Sequence, residues 1–349
     1  MSRQDQKVGE GGEAYQAGTS LTVNRGMSAD QMSELMIAMA KQLQQYLAEA
    51  GATFDQRCAE LRDELIKEFS KPEAKADSGA FRDPDYQFVL KAAHESYGRK
   101  GGDELREELV NLLGQRSMME TGTRPALILN DAIRIAGKLT SEEYSALAMT
   151  FLIKYVSVGG VTKEDIINSF NRILDEFITQ LPSENHAYEY LASIGCLSVN
   201  LISGVDLWKA IHSTYGFRFG RGFDAQELQE ALAGEATIPQ LTGQLTRLND
   251  GKFWFVGPKR AELEEGLRER AIPEGAVVGL LALVDSRTPT EEEIKQELTA
   301  AVSAFARFDE VWSKTQIRQS VLTSLGKALA HSVLVSRIDF NGALSIWIK

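Results

Sequence analysis

The stretch SADQMSELMIAMAKQLQQYLAEAGATFDQRCAELRDELIKEFS, residues 28–70, repeats its apolar residues at steps of three and four. The repeating positions are Met32, Met36, Met39, Leu43, Tyr46 and Ala50, and then, after an offset near Gly51, Phe54, Cys58, Leu61 and Leu65. Such steps place side chains along one face of an α-helix, as in a coiled coil. Ser28 and Gln31 have the spacing of a capping box, so the helix is expected to begin there. We predict one long helix that offers a seam to another helix; the alternative is a helical hairpin broken at Gly51-Ala52-Thr53.

Ahead of this helix, residues 15–25 alternate between two faces in the manner of a β-strand. A single strand needs partners for its backbone N–H and C=O groups, and no second strand lies nearby in the sequence. The partner could be another subunit or a distant part of the same chain. Residues 14–70 are therefore interpreted as an oligomerisation module. Its predicted contact residues are Tyr15, Ala17, Leu21, Val23, Met32, Met36, Met39, Leu43 and Tyr46.

The rest of the chain predicts a mainly α fold with a helical-bundle body. The expected organisation is a flexible tail over 1–13, a linker over 71–85, a helical bundle over 86–198 and an α-rich domain over 199–349. Helix starts are marked by Thr140 and Thr162, each followed by acidic residues in the first turn.

The C-terminal domain is expected to contain an aromatic strand over 252–256, helices over 291–311 and 317–331, and a closing hairpin. The hairpin prediction rests on the turn signal Asn341-Gly342 between alternating apolar residues. Its two arms would be Ile338/Phe340 and Leu344/Ile346/Ile348.

Composition limits the classes of partner. The net charge of -11 argues against general affinity for nucleic acid or anionic membranes. Cys58 and Cys196 lie far apart, which suits a reducing cytoplasm better than a disulfide framework. Residues 1–27 are polar and unlike a signal peptide, and the apolar run Ala276 to Val284 is too short to span a bilayer. We expect a cytoplasmic protein that meets a membrane only after rearrangement.

No motif for catalysis or metal binding is found in the sequence. The four histidines are isolated, Gly326-Lys327 lacks the other elements of a P-loop, and Cys196 has the surroundings of a buried helix end. Acid pairs such as Glu107/Glu108 and Glu264/Glu265 are expected on solvated helix faces. We predict no metal and no cofactor, and whether the chain has an enzymatic activity stays open.

Residues Gly216 to Phe223, GFRFGRGF, interleave aromatic residues, arginines and glycines. Arg218 and Arg221 could hold an anion or nucleic acid, with the aromatic rings stacking on bases. The alternative is a Gly-rich turn whose phenylalanines enter the core and whose arginines pair with nearby acids.

Five segments resemble a widespread family of uncharacterised bacterial helical proteins. They are Tyr15-Gln16-Ala17-Gly18, Gly26-Met27-Ser28, Asp83-Pro84-Asp85-Tyr86-Gln87-Phe88, Gly326-Lys327-Ala328-Leu329-Ala330-His331 and Leu344-Ser345-Ile346-Trp347-Ile348. The polar, strand-like leader looks like leaders of bacterial proteins from mobile elements and anti-phage systems. The resemblance implies a setting of defence or conflict, and it implies no catalytic residue.

These observations favour a non-enzymatic protein that self-assembles through residues 14–70 and recognises another protein, such as a phage component or a defence partner. A different class of function is an effector active only after assembly, either a membrane-permeabilising oligomer or an enzyme with an unrecognised site. Binding of nucleic acid or an anion through Arg218 and Arg221 is the third hypothesis.

Overall fold

A computed structural model of the chain describes residues 28–71, 76–160, 162–200, 202–257, 259–338 and 340–348. The tail expected over 1–13 and the strand expected over 15–25, including Tyr15, Ala17, Leu21 and Val23, lie outside these residues. The described part is mainly α-helical, as predicted, with a few short antiparallel strands. It belongs to two compact units, here called the N-terminal unit (Met1–Gln56) and the body (Arg57–Lys349).

The long helix is confirmed. Helix α1 runs over Ala29–Ser70 without a break at Gly51, so the hairpin alternative is wrong. The capping box forms as expected, because Ser28 N donates to Gln31 Oε1 at 3.0 Å and Gln31 N donates to Ser28 Oγ at 3.2 Å.

In its described residues, the body is a helical bundle with two small sheets. Its helices are α2 (Pro84–Lys100), α3 (Asp103–Ser117), α4 (Arg124–Ala136), α5 (Ser141–Tyr155), α6 (Lys163–Phe177), α7 (His186–Ser193), α8 (Leu207–Tyr215), α9 (Ala225–Ala231), α10 (Arg260–Glu269), α11 (Glu274–Arg287), α12 (Glu291–Ala301), α13 (Ala304–Lys314) and α14 (Ser324–Ile338). Short 3-10 helices cover Ser78–Arg82, Gly216–Phe219, Ile238–Leu241, Gln316–Gln319 and Leu344–Ile346. The strands are β1 (Leu197–Val199), β2 (Leu245–Arg247), β3 (Phe253–Phe255) and β4 (Ser320–Leu322). Capping boxes at Thr140 and Thr162 start α5 and α6.

Each sheet is one antiparallel pair. The expected aromatic strand is β3, and it pairs with β2 so that Leu245 lies opposite Phe255. The other pair joins β1 to β4, with Leu197 opposite Leu322. This second pairing explains why the helix expected over 317–331 is wrong: residues 320–322 extend to meet β1, and α14 begins only at Ser324.

Two apolar cores fill the body. The larger core draws on residues 61–219 and 294–348, and the smaller one on residues 217–284. The larger core contains residues from both sides of the boundary expected between residues 198 and 199, since α12, α13 and α14 contribute to it together with the helices before that position.

The predicted C-terminal hairpin is wrong. Residues 340–348 contain no strand, and they close the larger core with side chains instead. The Trp347 ring lies 5.0 Å from that of Phe151, and its Nε1 donates to Tyr155 O at 3.0 Å. Gly342 O is bound by His331 Nε2 at 2.6 Å. The apolar alternation that resembled strand pairing therefore reflects packing against α5 and α14.

Candidate functional site

A continuous apolar stripe lies exposed on the N-terminal unit. Exposed fractions are 65% for Met36, 60% for Met39 and 59% for Leu43. Because successive residues of an α-helix are rotated by about 100°, these side chains share one face. We define the α1 stripe as Met32, Leu35, Met36, Met39, Leu43, Tyr46 and Leu47, all of them exposed.

Five of the seven stripe residues are among the contact residues predicted from the sequence, and their role in assembly stays a prediction. Leu35 and Leu47 lie outside that prediction, because the repeat of alternating four- and three-residue steps that starts at Met32 passes over both positions. Each follows a predicted position, Met32 or Leu43, by three or four residues and so lies on the same face. Ile37 is also exposed, at 55%, but it lies about 140° around the helix from Met32 and outside the stripe.

The surroundings of the stripe carry few charges. Between residues 28 and 50 the ionisable side chains are Asp30, Glu34, Lys41, Glu49 and Tyr46. Neutral amides occupy much of the remaining surface: Gln42 Nε2 donates to Tyr46 Oη at 2.5 Å, and Gln45 Nε2 donates to Glu49 Oε1 at 2.8 Å. A surface of this kind associates by apolar contact, and it lacks the charge pattern that would select a strongly charged partner.

The last part of α1 belongs to the body, where its side chains are buried and form hydrogen bonds. Leu61 and Leu65 are 0% and 3% exposed, and Arg57 Nη1 donates to Gly98 O and Arg99 O at 3.2 and 3.0 Å. The two parts of the apolar repeat therefore differ in exposure: the last turns of α1 pack inside the body, whereas the apolar residues over 32–47 remain exposed.

The phenylalanines of the Gly216–Phe223 loop enter the core, as expected for a Gly-rich structural turn. Phe217, Phe219 and Phe223 are buried, and Trp254 Nε1 donates to Phe217 O at 2.8 Å. A Cβ atom at Gly220 would lie 2.0 Å from the Trp254 ring, so glycine is required there.

The two arginines of this loop differ in their surroundings. Arg221 Nη2 lies 2.5 Å from Glu293 Oε1. Arg218 Nη1 is buried and finds no hydrogen-bond partner among the described residues. The geometry gives most support to a structural role, and binding of an anion by Arg218 or Arg221 stays a hypothesis.

The Asp83-Pro84-Asp85 segment forms a partly buried ion-pair network around Arg116. Arg116 is 1% exposed; its Nη2 lies 2.7 Å from Asp85 Oδ2 and its Nε donates to Asn130 Oδ1 at 2.7 Å. Hydrogen bonds from Asn130 and then Arg116 lower the pKa of Asp85. The hydroxyl of Thr121 donates to Asp83 and lowers the pKa of that carboxyl group. The network joins α2, α3 and α4, and with its donors satisfied it has the character of a structural tie.

Groups with catalytic potential are dispersed or buried. Burial raises the pKa of the Cys196 thiol to about 12, so the thiolate nucleophile is suppressed. His94 Nδ1 and His212 Nε2 lie 2.9 and 3.1 Å from the backbone oxygens of Leu90 and Pro289. Within the described ranges no group of three or more His, Cys, Asp or Glu residues could hold a metal ion. No helix there is long and apolar enough to cross a membrane.

A family model described only as ":-like" matches residues 26–348, so the chain belongs to that family. The match covers the long helix and the body almost completely. No curated protein and no solved structure gives a significant match.

Proposed function

We propose that this protein is a non-enzymatic, self-assembling protein whose copies associate through the α1 stripe. Its helical body recognises another protein, and the resemblance of the leader to leaders of anti-phage proteins supports a role in defence.

The observation that carries the proposal is the exposure of the α1 stripe over residues 32–47. Contiguous exposed apolar surface on a protein marks a site of interaction, because water contact with such surface is costly. Three of the seven stripe residues are methionines, whose flexible side chains adapt to a facing helix.

A second copy of the chain is the partner that the stripe fits best. Heptad-spaced apolar residues pack into the gaps of an identical pattern, and the sparse charges beside the stripe produce little repulsion between copies. An anionic membrane surface fits less well, because interfacial helices carry several Lys or Arg residues and Lys41 is the single basic residue between positions 28 and 50.

Recognition of another protein by the body is supported by apolar side chains outside α1. Phe88 on α2 is 61% exposed and Leu127 on α4 is 53% exposed. The Arg134 guanidinium lies 5.1 Å from the centre of the Phe88 ring, which gives this surface a cation beside an aromatic group. Arg and aromatic residues are enriched in protein interfaces.

The test of assembly is the mass of the full chain in solution, measured by analytical ultracentrifugation over a range of micromolar concentrations. We expect the wild type to form a dimer or larger oligomer. Leu43→Glu places a charge in the stripe of every copy and should weaken association by about 2 kcal/mol or more, which is about thirtyfold in Kd.

Ile37→Glu is the matched control, since Ile37 is an exposed apolar residue of the same helix outside the stripe. This variant should assemble like the wild type. A monomeric wild type, or equal effects of the two substitutions, would show that the stripe does not mediate self-association.

A further inference from the structure

The body contains a cavity of about 270 Å³ beside the start of α8. Its lining includes the segment Gly204 to Trp208, Trp312 of α13 and Arg318 of the 3-10 helix Gln316–Gln319. The volume lies near the lower end of ligand pockets and suits one ring-sized group with a small polar substituent.

The walls of the cavity are fixed by hydrogen bonds. Trp312 Nε1 donates to Val205 O at 2.7 Å, and Val205 N donates to Arg318 O at 2.8 Å. Lys154 Nζ donates to three backbone oxygens, those of Ile317, Arg318 and Ser320, at 2.8, 2.9 and 2.6 Å. A cavity held in this way is preformed, so a ligand would bind with little ordering cost.

Two donors at the cavity lack an acceptor. Trp208 is 6% exposed, yet its buried Nε1–H has no hydrogen-bond partner among the described residues. A buried donor without an acceptor costs about 1–3 kcal/mol, so a ligand acceptor would be favoured. The exposed guanidinium of Arg318 likewise forms no ion pair or side-chain hydrogen bond within the described part of the chain.

The acidic groups at the cavity already have partners. Asp309 Oδ2 lies 3.1 Å from Lys295 Nζ, and Asp206 Oδ1 accepts from Lys209 N at 2.9 Å as the N-cap of α8. Lys295 also lies 5.4 Å from the centre of the Trp208 ring. Among the described residues, Arg318 is therefore the charged group of the cavity whose side chain has neither a hydrogen-bond nor an ion-pair partner, and the two aspartates disfavour a ligand with several negative charges.

We propose that this cavity binds a monocarboxylate attached to a flat apolar group. The ring would lie against Trp208 and Trp312, and Arg318 would bind the carboxylate. A free aromatic acid and the C-terminal aromatic residue of a polypeptide share this chemistry. Ile202, two residues before Gly204, is 98% exposed and would add apolar contact for a polypeptide.

The experiment titrates four probes into the full chain and measures binding by calorimetry and by the change in tryptophan fluorescence. The probes are N-acetylphenylalanine, its amide, inorganic phosphate, and an eight-residue peptide ending in phenylalanine. We expect the free acid or the peptide to bind at least tenfold more tightly than the amide and phosphate. Tighter binding of the peptide than of the free acid would identify a polypeptide C-terminus; equal or weaker binding would identify a small molecule.

Arg318→Gln should weaken binding of the acid at least tenfold, because a charge-assisted hydrogen bond is lost. Trp208→Phe should weaken it severalfold and reduce the fluorescence response. Arg172→Gln is the matched control, since Arg172 is exposed on α6 and does not line the cavity. Thermal unfolding would verify that each variant is folded. Absence of binding at millimolar ligand, equal binding of acid and amide, or equal effects of the two arginine substitutions would overturn the proposal.

Discussion

Glu108 is a buried carboxylic acid on α3, although the sequence placed the Glu107/Glu108 pair on a solvated face. It is 1% exposed because α14 covers this part of α3, and Ser336 Oγ of α14 donates to its Oε1 at 2.7 Å. Its Oε2 is buried without a hydrogen-bond partner in the described residues. The helix that removes water from Glu108 begins more than 200 residues later, so local periodicity could not show its burial.

Burial of Glu108 makes the stability of the protein depend on pH. It raises the pKa of Glu108 from 4.5 to about 7, while hydrogen bonds from Ser336 and Ser332 and the charge of Arg337 oppose the shift and Glu107 adds a little to it. An acid whose pKa is raised on folding contributes stability below pH 4.5 that is lost as pH rises through 7. We expect the free energy of unfolding of the wild type to fall by about 3 kcal/mol relative to Glu108→Gln between pH 4 and pH 8.

Urea unfolding of both proteins across that pH range would measure the difference. Glu107→Gln is the control, because Glu107 is the exposed neighbour on the same helix. This control should change the wild-type pH profile only slightly, because the charge of Glu107 makes the smallest contribution to the raised pKa of Glu108. A constant difference between wild type and Glu108→Gln at all pH values would contradict the assignment.

At the scale of elements, close contact between α14 and the residue that precedes β1 requires glycine at position 326. A Cβ atom there would lie 1.9 Å from the backbone oxygen of Cys196, which cannot move without disturbing the β1–β4 pair. A Cβ atom at Gly51 of α1 would meet nothing within 4 Å. The two glycines therefore predict opposite responses to alanine.

Gly326→Ala should lower the free energy of unfolding by about 2 kcal/mol or more, because overpacking outweighs the gain in helix propensity. Gly51→Ala should instead stabilise α1 by up to about 1 kcal/mol, since only the conformational cost of glycine is removed. Urea unfolding followed by circular dichroism would measure both. Stabilisation by Gly326→Ala would show that α14 does not approach Cys196 this closely.

The elements that the sequence predicted well are those determined by neighbouring residues. The α1 repeat and the capping boxes at Ser28, Thr140 and Thr162 depend on residues three or four positions apart. By contrast, β4 extends because it pairs with β1 more than 100 residues earlier. The segment 317–331 contains no local signal for that pairing, so its propensity favoured one helix.

The α1 stripe and the cavity likewise differ in whether their residues are close together or far apart in the sequence. The α1 stripe could be predicted from spacing alone, since its residues lie on one helix. The cavity unites Trp208, Trp312 and Arg318 from separated segments. Hydrogen bonds from Trp312 to Val205 and from Val205 to Arg318 bring these segments together, so no motif could indicate that site.

At the scale of the whole body, the two cores differ in size. The smaller core is confined to residues 217–284 and includes α11, whereas α14 is buried in the larger core. Because opening a small core exposes less apolar surface, the smaller one should open at a lower free energy. The two helices make a matched comparison, with 14 residues in α11 and 15 in α14.

Hydrogen exchange followed by mass spectrometry would test this difference in the native protein. We expect the most protected amides of α11 to exchange at least about thirtyfold faster than those of α14, which corresponds to a difference of about 2 kcal/mol in opening free energy. The urea dependence of exchange should also be shallower for α11, because less surface is exposed when the smaller core opens. Equal protection and equal urea dependence would mean that both cores unfold together, and the smaller core would then be an integral part of one cooperative body.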